Sequence, residues 1–131
     1  MIKKVTMGLA FAAGVSCLDL AAAMSLEEKV ALQATMFQHI ESTLIDGVVP
    51  HVQLSDGTVV DLVPTKAHPM ILTFGDRYVL CTDYRDPDGQ FVNIDFYLTR
   101  RNGEFVVFQT EINNRAALEQ LMKAGKVTMV K

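Results

Sequence analysis

Across residues 50–112 the apolar side chains fall into runs of period two, and each run stops at a glycine standing beside Asp or Asn. The stops are Ser55-Asp56-Gly57, Gly75-Asp76-Arg77, Asp86-Pro87-Asp88-Gly89 and Arg101-Asn102-Gly103. Tight hairpins need a residue that accepts positive φ, which glycine does without steric cost. Parallel neighbours would instead need crossovers of about a dozen residues or more. Breaks this short leave no room for them. The sequence therefore predicts a mostly antiparallel meander of about six strands, over residues 51–54, 58–63, 70–74, 78–84, 91–99 and 104–112. Residues 64–69, with a proline at each end, form the one longer connection and mark an edge or a corner.

Helical patterns flank the sheet. Ser25-Leu26-Glu27-Glu28 has the form of a capping box. Leu26, Val30, Ala34, Phe37, Ile40 and Leu44 follow at helical spacing and predict the buried stripe, while Glu27, Lys29, Gln33, Gln38 and Glu41 fall elsewhere. Gly47 is the expected left-handed stop. Asn113 is expected to cap a second helix over residues 114–124, with Leu118, Leu121 and Met122 on its apolar side, and residues 126–131 to add a short final strand. The fold class is α+β: an N-terminal helix packed on the meander, with a second helix near the C-terminus. That order is similar in topology to cystatin-like folds, in which a helix lies on a curved sheet. None of their inhibitor-loop motifs is present, so no residue roles carry over.

Residues 1–23 read as an address. Lys3-Lys4 precedes an uncharged run over residues 5–18, and small residues at Ala21 and Ala23 suit a signal peptidase. The run reaches roughly 21 Å as a helix, against about 30 Å of hydrocarbon, so it predicts a cleaved signal and no stable membrane span. The Val15-Ser16-Cys17 sequence is a poor lipoprotein signal, because Gly14 stands where Leu is preferred. Cleavage after Ala23 leaves a single domain over residues 24–131, exported to a periplasm or the extracellular space. It also leaves Cys81 as the one thiol, which excludes an internal disulfide and predicts burial.

A 50% apolar, 21% charged composition excludes a disordered chain. The net charge of -3 argues against nucleic acid as a partner, since Arg100-Arg101 is too small a basic patch. His39, His51 and His68 are scattered, and no HExxH, CxxC, GxSxG, P-loop or dinucleotide motif occurs. The chemistry requires no cofactor and no metal, and gives no catalytic signature. Asp86-Pro87-Asp88-Gly89 partly matches a calcium loop, but Tyr84 holds the first ligand position and the segment is a better hairpin turn.

Strand alignment brings one functional candidate forward. Setting Asp86 opposite Gln90 pairs Tyr84 with Val92, Thr82 with Ile94 and Leu80 with Phe96. A three-residue loop at Arg101-Asn102-Gly103 pairs Leu98 with Val106, Phe96 with Phe108 and Ile94 with Thr110. Tyr78, Leu80, Val92, Ile94, Phe96, Leu98, Val106, Phe108 and Ile112 then share a face for the first helix to cover. The opposite face gathers Asp83, Asn93, Asp95, Tyr97, Gln109 and Glu111, together with Val79, Cys81 and Val107. Cys81 faces Asp95, Asp83 faces Asn93, Asp95 faces Gln109 and Asn93 faces Glu111. Three acids this close repel by about 1 kcal/mol per pair in water, so they stand either on a solvated face or at a site for a cation, a basic peptide or a polar small molecule.

The function expected is a small exported binding or interaction domain using Asp83, Asn93, Asp95, Tyr97, Gln109 and Glu111. Its partner would be a protein or a small polar ligand, cationic ones included. The alternatives are a hydrolase or isomerase in a helix-covered cup, with Asp95 or Asp83 as general base, and a structural subunit that forms a homodimer through the sheet.

Overall fold

The computed structural model describes residues 24–130; the expected signal over residues 1–23 and its expected cleavage point lie outside the described residues. Helix α1 spans Leu26–Thr43. Strands β1 (Val49–Gln53), β2 (Thr58–Phe74), β3 (Arg77–Arg85), β4 (Phe91–Arg101) and β5 (Glu104–Ile112) form an antiparallel meander in sequence order. Helix α2 (Arg115–Lys123) then leads to β6 (Val127–Met129), which joins the sheet antiparallel to β2. The architecture is α+β, with one helix on each face of the sheet. No described helix is long and apolar enough to cross a membrane.

The expected connection over residues 64–69 is instead part of β2, which runs unbroken for 17 residues. Its pairing with β3 slips between Pro64 and Lys66 and again between Ala67 and Ile71. The prolines are tolerated because this stretch has no ladder partner on its other side. β1 pairs with β2 only as far as Leu62, and β6 only from Leu72. A strand edge facing solvent loses nothing when an N–H is missing.

The capping box forms, with the Glu28 amide donating to Ser25 Oγ at 3.1 Å. The helix does not bury the expected stripe. Leu32, Met36 and Ile40 face the core, while Leu26, Val30, Ala34, Phe37 and Leu44 are exposed. Residues four apart share a helix face, so Leu32, Met36 and Ile40 form a second stripe beside the first. The geometry of the sheet beneath selects between them. The helix ends at Thr43, and Gly47 (φ 83°) serves the turn after it, bracketed by a bridge between Ile45 and Val48.

The β3–β4 register is the expected one: Tyr84 faces Val92, Thr82 faces Ile94, and Leu80 faces Phe96. The Asp86 amide donates to the Gln90 carbonyl at 3.0 Å, and Gly89 takes φ 80°. The β4–β5 hairpin differs. Asn102 (φ 52°) and Gly103 (φ 80°) make a two-residue turn, so Arg101 pairs with Glu104. The register shifts again between Tyr97 and Leu98, where Phe108 is the extra residue of a bulge. Phe105 and Val107 therefore pack on the α1-side core in place of Val106 and Phe108. Beyond the bulge Phe96 meets Thr110, Ile94 meets Ile112, and Asp95 meets Glu111.

Five consecutive residues of β4, from Ile94 to Leu98, are buried because both faces are covered. Under α1 lie Leu62, Ile71, Leu80, Tyr84, Ile94, Phe96 and Leu98. On the other side Leu118 of α2 joins Leu72, Val79, Cys81, Tyr97 and Val127. The face expected to be polar and open is thus half roofed by α2.

Candidate functional site

Each of the three acids on that face has a partner inside the chain. Asp95 is 1% exposed, and Arg115 Nε donates to both its oxygens at 3.1 Å. Arg115 Nη2 approaches Oδ1 at 2.9 Å without the alignment of a hydrogen bond. An arginine in the first turn of a helix opposes the helix dipole, so its position is explained by the carboxylate below it. Burial alone would lower the Arg115 pKa, but the hydrogen bond and charge of Asp95 outweigh it and hold the value above the ordinary one.

His68 Nε2 lies 2.8 Å from Asp83 Oδ2. Glu111 accepts from Gln109 Nε2 at 2.7 Å and from Asn114 Nδ2 at 3.2 Å. Asn114 is the N-cap residue of α2, one place after the residue expected; Asn113 takes φ 55° at the corner and donates its amide to the Asn93 carbonyl at 2.7 Å. Tyr97 is buried, edge-on to Phe74 and Phe108. Of the six candidate residues, Asp83, Asn93, Gln109 and Glu111 keep substantial contact with solvent, and Asp95 and Tyr97 are buried. Sequence reasoning missed Arg115 and His68. The readable signal was an arginine just past a helix cap, where an acid is the usual choice.

Cys81 is a free, buried thiol beside Asp95. Burial, then the charge and hydrogen bond of Asp95, push its pKa from 9.0 up to about 12. Burial raises Tyr84 to about 12 as well, from 10.0. Both folded values lie above the unfolded ones. Their contribution to stability is therefore complete below about pH 9 and is lost as the pH climbs toward 12. Urea midpoints are expected to fall above about pH 9, and Cys81→Ala to remove part of that fall. Identical alkaline slopes in the two proteins would contradict this assignment.

A separate concavity lies elsewhere. At the end of the sheet that carries the β1–β2 and β3–β4 turns lies a cleft of about 710 Å³. Small-molecule sites span about 300–1,000 Å³. Val60, Leu62, Val92 and Ile112 of the α1-side core line it together with Val59 and Phe91, and none of its lining comes from α1. His51 and Gln53 line it from β1; His51 pairs with Val60, so polar side chains stand on β1 where the strand alternation calls for apolar ones. Asp86, Asp88 and Gln90 close the mouth from the β3–β4 turn. Asp86 is half-buried, with Oδ1 accepting the Gln90 amide at 2.8 Å.

Among the described residues, no group of three or more His, Cys, Asp or Glu is placed to hold a metal ion. Compared with protein families, curated proteins and solved structures, the chain matches none.

Proposed function

We propose that this is a small exported binding domain without a catalytic role, and that its ligand seats in the cleft between β1 and the β3–β4 turn. One observation carries the reading: a concavity of about 710 Å³ in which Val60, Val92 and Ile112 stand beside His51, Gln53 and Gln90. That combination takes up the body of a ligand and fixes its orientation. Export is supported by Lys3-Lys4, the uncharged run behind it and the small residues at Ala21 and Ala23. The binding reading is favoured over a carboxylate-dependent hydrolase or isomerase, because Asp95 is shut away from solvent with both oxygens accepting from Arg115.

Chemical-shift mapping of a fragment library on the ¹⁵N-labelled protein tests the proposal. Hits are expected to cluster on the amides of His51, Gln53, Gln90 and Val92, and to disappear when Val60→Trp fills the cleft. Hits that gather on Asp83, Asn93 and Glu111 would return the site to the polar face. Hits around Val30 and Phe37 would move it to α1. Either result would overturn the cleft reading.

A further inference from the structure

We infer that the exposed apolar stripe of α1 is the interface of a weak homodimer, in which α1 of one copy packs antiparallel on α1 of another. The inference is independent of the cleft, whose lining includes no residue of α1. Val30, Phe37 and Leu44 recur every seven residues, and Leu26 stands four residues before Val30. Leu26, Val30 and Phe37 are 77%, 59% and 50% exposed, and Leu44 is exposed beside them. An apolar repeat of seven is the seam along which one helix pairs with another.

Shape makes the same choice of occupant. Val30, Gln33, Ala34 and Phe37 line a groove of about 350 Å³, with Pro69 and Ile71 of β2 as its further wall. The four helix positions are i, i+3, i+4 and i+7, the set that surrounds a hole on a helix surface. A side chain projecting from a facing helix fills such a hole.

Two observations select a second copy as that helix. Among the described residues α2 is the one other helix, and its Leu118 is packed on the sheet. The stripe is also complementary to itself. A two-fold axis at the level of Thr35 sets Leu26 against the partner's Leu44 and Gln33 against the partner's Phe37. The two ends of the stripe then meet, and each Phe37 enters the hole of the other copy. Antiparallel packing also sets the two helix dipoles in opposition.

Size sets the strength. The stripe is about 27 Å long, and a specific interface of about 1,000 Å² needs about 500 Å² from each copy. The exposed side chains from Leu26 to Leu44, with Gln38 and Glu41 on the rim, supply an area of that order. This is the low end for specific association, so the expected dissociation constant is about 10–100 µM. At about 1 µM the chain is then monomeric, and the exposed side chains of α1 add nothing to unfolding measured there.

Sedimentation velocity of the full chain between about 1 µM and 500 µM tests the dimer. A monomer–dimer equilibrium in that range is expected. Phe37→Glu and Leu26→Glu are each expected to weaken it at least about tenfold, with urea midpoints at about 1 µM showing that both still fold. Mixed Leu26→Cys and Leu44→Cys proteins are expected to cross-link to each other on mild oxidation, and neither to cross-link to itself. A wild-type chain that stays monomeric at about 500 µM would overturn the inference. So would association that neither glutamate variant weakens, which would place the contact on another surface. Cross-linking of Leu26→Cys to itself would overturn the antiparallel arrangement.

Discussion

Arg115→Met is expected to destabilise the protein by about 3–5 kcal/mol, because it leaves the Asp95 carboxylate buried without its partner. The loss belongs to the orphaned charge more than to the missing contact. The double variant Asp95→Asn/Arg115→Met is therefore expected to recover much of it, since an amide buried beside a thioether carries no net charge. Urea denaturation of the four proteins of this cycle measures both quantities. A loss under about 1 kcal/mol in Arg115→Met would mean that the ion pair opens to water in solution. The same cycle asks whether α2 is held over the sheet by this pair. If it is, amide exchange at Leu118 and Leu121 rises in Arg115→Met along with the global loss.

The second large effect distinguishes the two apolar stripes of α1. Met36→Ala and Leu32→Ala are expected to cost about 2–5 kcal/mol each, because both side chains are fully buried and deletion leaves a cavity. Val30→Ala, at a side chain 59% exposed, is expected to stay within about 0.5 kcal/mol. The sequence pattern alone ranks these the other way, with Val30 in the buried stripe. Equal costs at Met36 and Val30, read from urea midpoints, would contradict the orientation of α1 on the sheet.

That reversal marks a limit of sequence reading. Leu26, Val30, Ala34, Phe37 and Leu44 have helical spacing, and so do Leu32, Met36 and Ile40; a moment drawn along the helix cannot rank two adjacent stripes. The choice is made by tertiary contact with Ile71, Leu80 and Phe96, which no local window contains. The β3–β4 register was legible because Pro87-Asp88-Gly89 fixes the loop length, and every partner from Tyr84 to Leu80 follows from it. The β4–β5 register was half legible. Asn102-Gly103 is by itself the signature of a two-residue turn, and counting Arg101 into the loop displaced the pairing by one. The bulge at Phe108 has no turn residue to announce it.

The two candidate regions differ in the same way. Asp83, Asp95 and Glu111 could be gathered on one face from strand parity, yet their partners His68 and Arg115 come from an irregular stretch of β2 and from a helix whose side of the sheet was undetermined. The cleft draws on four separate segments: β1, the start of β2, the β3–β4 turn and the end of β5. They meet at one end of the sheet, where alternate turns of the meander and the end of β5 lie. A local clue existed in His51 and Gln53, polar residues that pair with Val60 and Thr58, respectively, on the inward side of the first hairpin.

Intermolecular nuclear Overhauser effects from a bound fragment to the ¹³C-labelled protein give the most direct test of where a ligand sits. Contacts from the fragment to the methyl groups of Val60, Leu62, Val92 and Ile112 are the predicted result. Contacts to Val79 and Leu118 under α2, or to Val30 on the outer flank of α1, would contradict it.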